Sequence, residues 1–175
     1  MEAPTPFNAK LIASSQRLYR IYVRRSDLYF IVLAGGLSAN PESLTVHFGL
    51  IGALIGHGLK KRAKKKNQAL IQRIDQLDPQ ELLAEDKHNF KVHTAEIQEA
   101  AIDPPALFAF QGRQSGRWKL CLRSGKKMNF QFENNDDMKA ALVLLPQFLD
   151  STLKVNVEWN EKKKRFQKKK PASLS

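Results

Sequence analysis

The chain has 175 residues, enough for one hydrophobic core and short of two ordinary ones. Its formal net charge is +12, from 29 Lys and Arg against 17 Asp and Glu, and it holds one cysteine. The lone Cys121 excludes an internal disulfide framework and provides no metal cluster; it fits a small strand residue in a reducing compartment.

The positive charge is concentrated in two places. Lys60, Lys61, Arg62, Lys64, Lys65 and Lys66 form one cluster, and Lys162, Lys163, Lys164, Arg165, Lys168, Lys169 and Lys170 form the other. Together they hold 13 of the 29 basic residues, and the remaining 16 stand against 17 acids. The globular part is therefore close to neutral, which favours localised contacts with a polyanion over a broad nucleic-acid-binding face. Met1 to Ala9 lacks the basic start and continuous apolar core of a secretory signal, so the expected location is cytoplasmic.

Residues 1–16, with Pro4 and Pro6, read as a loose N-terminal arm. From Arg17 the pattern is that of a strand, with Tyr19, Ile21 and Val23 alternating with Arg20, Tyr22 and Arg24. Arg25, Ser26 and Asp27 suit a hairpin turn, and Leu28 to Leu33 is an apolar run short enough for a central strand. Gly35 and Gly36 end it, and residues 37–87 stand as an insertion between the second and third strands.

The insertion holds the chain's most unusual stretch. Val46 to Leu59 is apolar and glycine-spaced, and at about 1.5 Å per residue a helix here would be roughly 21 Å long, against a hydrocarbon core of about 30 Å. It is too short to span. Phe48, Leu50, Ile51, Leu54, Ile55 and Leu59 would form an apolar wedge, while Gly49, Gly52, Ala53 and Gly56 make a flat strip for close approach by a helix or by lipid. The basic collar Lys60 to Lys66 follows directly, the form of a segment that dips into an anionic membrane interface. A buried close-packed helix with a solvated basic end, or an oligomer contact, would use the same residues.

Leu70, Ile74 and Leu77 next mark a helical stripe. Asp78 and Pro79, with Glu81, are the start signals of another short helix ahead of Leu82 and Leu83. Strands return with Phe90, Val92 and Thr94 facing one way and His93 the other. Ile102 to Pro105 interrupts. Leu107 to Gln111, Arg117 to Arg123 and Lys127 to Glu133 then read as a three-stranded meander, with an oily face of Trp118, Leu120, Leu122, Met128, Phe130 and Phe132. Asn135, Asp136 and Asp137 cap an amphipathic helix with Met138, Ala141, Leu142, Leu145 and Leu149 on one stripe, which Pro146 should kink or shorten. Leu153, Val155, Val157 and Trp159 suggest a last strand, and residues 161–175 a disordered basic tail.

No catalytic pattern emerges. His47, His57, His88 and His93 have no metal-ligand spacing with acids or thiols, and HExxH, Walker, dinucleotide and nucleophile-elbow motifs are absent. The meander cations Arg113, Arg117, Lys119, Arg123, Lys126 and Lys127 lie at or beside turns, where they form either a solvated face or contacts to a phosphate headgroup.

The strands Arg17 to Leu33, Asn89 to Ile97 and Leu107 to Glu133, followed by NNDDMKAALVLLPQFL, resemble the pleckstrin-homology-like superfamily, which includes the GRAM-type domains. The glycine-rich apolar stretch and basic run between the strands are similar to those of uncharacterised bacterial membrane-associated proteins with such domains. The resemblance implies an α+β fold spanning residues 17–160, with a bent antiparallel sheet of about six or seven strands, a C-terminal amphipathic helix and a long helical insertion. No binding residue is carried over from it. The functional expectation is a non-enzymatic, membrane-peripheral lipid-binding or adaptor protein without cofactor or metal. Its partners would be an anionic membrane surface and a protein partner or second copy. The alternatives are a nucleic-acid-associated protein using the two lysine runs, or a scaffold self-associating through the glycine strip.

Overall fold

A computed structural model describes residues 5–13, 16–34, 71–72, 74–105 and 115–169. The wedge and helix-packing residues Phe48 to Leu59, the collar Lys60 to Lys66, and Lys170 lie outside these described residues, as do Arg113 and the whole of the expected strand Leu107 to Gln111.

The elements in order are β1 (Phe7–Leu11), β2 (Leu18–Arg24), β3 (Asp27–Ala34), α1 (Pro79–Leu82), β4 (Phe90–His93), β5 (Ile97–Asp103), β6 (Arg117–Leu122), β7 (Lys127–Phe132), α2 (Asn135–Leu149), β8 (Leu153–Val155), β9 (Val157–Asn160) and β10 (Arg165–Lys168). An eight-stranded mixed sheet runs β4-β3-β2-β1-β7-β6-β5-β8, antiparallel throughout except for the parallel β5–β8 pair, and β9–β10 form a separate two-stranded sheet.

The large sheet curls over on itself. Four steps separate β3 from β6, and at about 4.8 Å per step a flat sheet would hold them about 19 Å apart. Yet the rings of Phe30 and Trp118 lie 6.0 Å apart, nearly parallel. Phe30 also stacks on Phe90 at 4.4 Å and on Phe130 at 5.3 Å, so one ring joins strands from both halves of the sheet. Alternation explains which side faces in: Trp118, Leu120 and Leu122, with Met128, Phe130 and Phe132, are all buried, whereas Arg117, Lys119, Lys127 and Asn129 are exposed. Helix α2 closes the core with Met138, Ala141, Leu145 and Leu149.

β3 is apolar on both sides because both sides are covered. Leu28 and Phe30 enter the main core, while Tyr29, Ile31 and Leu33 join Tyr22, Ile74 and Leu82 in a second cluster outside the curl. Polar ties hold that outer layer down. Arg20 donates from Nε and Nη2 to the Asp75 carboxylate at 2.7 Å each, the Tyr22 hydroxyl donates to Asp75 at 2.6 Å, and Arg24 pairs with Asp78 at 2.7 Å. Burial and the neighbouring Asp75 carboxylate both push the Tyr22 pKa up.

Several expectations hold in detail. The turn at Arg25 and Ser26 joins β2 to β3. Asp78 caps α1 by accepting from the Gln80 N–H, with Pro79 at the first position. The cap of α2 falls one residue earlier than the expected Asn135: Asn134 accepts from the N–H groups of Asp136 and Asp137, and Asn135 is the first residue of the helix. Pro146 does not end α2, which runs on to Leu149.

The expected architecture is corrected. The chain does not form a pleckstrin-homology-like sheet of about six or seven strands with a long helical insertion; it is mostly β, with eight strands in one mixed sheet, and the longest described helix is α2 with 15 residues. Between β3 and β4 the one helix with defined bounds among the described residues is the four-residue α1. Part of the difference lies at the termini. The segment read as a loose arm contains β1, which sits mid-sheet between β2 and β7, with Phe7 and Ala9 fully buried. The segment read as a disordered tail contains β10, anchored by the buried Phe166 against Trp159. Polar composition concealed both, since each buries little more than one or two side chains of its own. The remaining difference is β5, which continues to Asp103 through the residues read as an interruption and supplies the meander strand assigned to Leu107 to Gln111.

These placements carry measurable costs. Phe7→Ala should destabilise the fold by about 3–5 kcal/mol in urea unfolding, and Phe166→Ala by about 2 kcal/mol. A loose arm and tail would give changes under about 0.5 kcal/mol at both positions.

Candidate functional site

Three chain segments meet at one open end of the curled sheet. Leu11, Ile12 and Ala13 leave β1; Lys87, His88, Asn89 and Phe90 enter β4; Lys126 to Asn129 begin β7. With Tyr19 they line a half-open cleft of about 420 Å3, within the size range of small-molecule sites.

Each wall is held by local hydrogen bonds. The Asp86 carboxylate accepts from the His88 N–H at 2.8 Å, and the Asp86 carbonyl accepts from the Asn89 N–H at 2.9 Å. The Asn89 side chain then clamps the turn to the sheet, accepting from the Val32 N–H at 2.8 Å and donating to the Leu82 carbonyl at 2.6 Å. On the opposite wall Gly125, at φ +83°, adopts a conformation that side-chain-bearing residues rarely take, and its N–H donates to the Leu122 carbonyl. Arg123 ties this turn to the helical turn before β5, donating from Nε to the Ala95 carbonyl at 2.8 Å. The Ile12 N–H donates to the Asn129 carbonyl at 2.7 Å and closes the third side.

The floor is aromatic and apolar. Tyr19 meets Phe90 edge-on at 5.5 Å, and one face of Phe90 is covered by Phe30. The other is left to the Lys126 ammonium, 5.7 Å from the ring centre. Burial raises the Tyr19 pKa, against the lowering effect of Arg17 beside it. Lys87, Lys126 and Lys127 are exposed along the rim, and among the described residues no carboxylate lines the cleft. Asp86, behind the rim, is bonded to the His88 ring at 2.9 Å, and the His88 backbone N–H leads the interactions that lower its pKa.

The second cationic feature is the β9–β10 hairpin. Lys162, Lys163 and Lys164 occupy its turn, followed by Arg165, Lys168 and Lys169, all exposed. Lys164 pairs with Glu161 at 2.8 Å, and the Lys163 N–H donates to Asn160. Trp159 lies edge-on to Phe166, with Lys139 over its ring at 4.3 Å.

Of the sequence-flagged cations, the structure brings Lys126 and Lys127 to the cleft and gathers Lys162 to Lys169 on the hairpin. It does not bring the meander cations into one patch. Lys119 pairs with Asp103 at 2.8 Å, and Arg123 is used in the turn. Lys87, His88, Tyr19 and Phe90 were missed as site residues, since only the curl of the sheet sets β4 opposite the β6–β7 turn. His93 is taken up locally, its Nδ1 accepting from the Ala95 N–H. Among the described residues no group of three or more His, Cys, Asp and Glu could hold a metal ion, and no helix is long and apolar enough to cross a membrane. The chain matches no family model, no curated protein and no solved structure.

The most perturbed carboxyl lies elsewhere. Asp137, in the first turn of α2, accepts from the Asn8 N–H of β1 at 2.7 Å, and its second oxygen is buried without a hydrogen-bond partner among the described residues. Burial pushes its pKa up to about 6. Asn8 in turn accepts from Arg20, so the carboxyl docks α2 onto the sheet and faces no cleft.

A raised carboxyl pKa favours the fold at low pH. The stability contributed by Asp137 is fully present below its unfolded pKa of 3.8 and is lost as pH rises through about 6. Asp137→Asn keeps an acceptor for Asn8 and removes the ionisation. The variant should therefore be more stable than the parent at pH 8, by on the order of 2 kcal/mol, with the difference shrinking toward pH 4. Denaturant melts across this range check it; a difference independent of pH would show that Asp137 ionises freely.

Proposed function

We propose that the protein is a non-enzymatic, membrane-peripheral binding module that holds the anionic cytoplasmic face of a membrane through cations fixed in orientation by its fold. The observation that carries this reading is the β9–β10 hairpin. Lys162, Lys163, Arg165, Lys168 and Lys169 stand on an ordered element pinned to the domain by Phe166, with Glu161 as a carboxylate partner for Lys164 alone. Near an anionic surface each such residue contributes about 1 kcal/mol, and cations carried on an ordered hairpin backbone lose less chain entropy on binding than those of a loose tail.

The collar Lys60 to Lys66 and the apolar wedge before it would add to the same contact. The carboxyl with the most perturbed pKa serves helix docking, and His88 and His93 serve turns, which fits a binding role. Nucleic acid is the weaker reading, because Trp159 packs against Phe166 and has Lys139 over its ring, which leaves no stacking platform beside the hairpin lysines among the described residues.

Flotation with vesicles tests it. The protein should float with phosphatidylserine-containing vesicles and stay behind with pure phosphatidylcholine, and a Lys162→Gln, Lys163→Gln, Lys168→Gln, Lys169→Gln variant should lose at least about tenfold in partitioning. Leu54→Asp with Ile55→Asp should weaken it further. Equal recovery with neutral and anionic vesicles would overturn the proposal, as would lysine-dependent RNA binding at physiological salt without flotation.

A further inference from the structure

We propose that the cleft between β1, β4 and the β6–β7 turn binds an amphipathic phosphate, with an apolar chain on Tyr19, Phe90, Leu11 and Ile12 and the phosphate between Lys87 and Lys126. The inference stands apart from the surface reading, since it uses none of the hairpin lysines.

Charge matching is the first argument. Three lysines elsewhere on the sheet meet carboxylates: Lys91 with Asp27 at 3.8 Å, Lys119 with Asp103 at 2.8 Å and Lys154 with Glu99 at 2.8 Å. Lys87 and Lys126 have no carboxylate partner among the described residues, although they face one cleft from two different turns. Lys126 lies instead over the Phe90 ring, from which an ammonium swings readily to a stronger, anionic partner. Lys127 is a lesser contributor, since it also acts on Glu99.

The floor is the second argument. A site for a bare inorganic anion needs converging donors, whereas this one sets an aromatic and aliphatic surface beneath its cations. Ile12 keeps 46 % of its surface exposed at the edge of the cleft, next to the buried Tyr19. A ligand chain would cover that edge and remove it from water. Firm walls are the third argument. The Asn89 clamp, the Gly125 turn and the Ile12–Asn129 hydrogen bond define the opening before any ligand arrives, which lowers the ordering cost of binding.

The phosphate could belong to a free alkyl phosphate or to a phosphomonoester lipid headgroup. Calorimetric titration of the full chain with octyl phosphate, below its micellar concentration, should show saturable binding. Ethyl phosphate, lacking the chain, and octyl glucoside, lacking the charge, should each bind at least about tenfold more weakly. Lys87→Gln with Lys126→Gln should weaken octyl phosphate binding by at least about tenfold, while the hairpin lysine variant should bind it unchanged. If the double variant also loses flotation with phosphatidic acid vesicles, the source is a lipid headgroup; if it loses octyl phosphate alone, the source is a free amphiphile. No saturation, equal affinity for ethyl and octyl phosphate, or indifference to the Lys87 and Lys126 changes would overturn the assignment, whatever flotation shows for the hairpin.

Discussion

The fold depends on one ring being shared between the two halves of a curled sheet. Phe30 stacks on Phe90 from its own side and on Trp118 and Phe130 from the other, and these contacts hold together strands that the ladder order keeps apart. Without that closure β4 and β7 would be four steps apart, about 19 Å in a flat sheet. The cleft is thus a product of the curl. Its rim joins residues that no local pattern relates, and the stack beneath sets the width of the opening.

What could be read in advance follows from the range of the forces involved. Caps and alternation are local, so Asp78, the start of α2 to within one residue, and the buried series Trp118, Leu120, Leu122 and Met128, Phe130, Phe132 were legible from sequence. Strand neighbours are not local. β1 has five residues and takes its burial from β2 and β7 on either side, and β10 relies on one phenylalanine, so both hid inside segments of polar composition. The site was half visible. Lys126 and Lys127 announced themselves at a glycine turn, whereas Lys87 and His88 looked like ordinary loop residues until the sheet closed. The stretch Val46 to Lys66 lies outside the described residues, and the β9–β10 hairpin is the basic cluster whose placement is defined.

The distribution of charge separates two roles for lysine. Along the outer face of the sheet, pairs such as Lys119 with Asp103 and Lys154 with Glu99 cancel locally and project little field. At the hairpin turn and at the cleft the cations are less matched and stand on ordered backbone, which concentrates the positive potential at two points of an otherwise balanced surface. A long-range approach would be steered by the first, and a small anion selected by the second.

The central position of β1 bears on how the chain is made. Its first partner, β2, follows within a few residues, but its second, β7, is separated from it by more than half of the sequence. On the ribosome β1 therefore waits with one hydrogen-bonding edge open until Lys127 to Phe132 have emerged. The polar residues around it, Asn8 and Lys10 among them, keep that waiting edge from being a continuous hydrophobic strip. The same composition that disguised β1 as a loose arm thus guards it against pairing with the wrong chain before its own partner arrives.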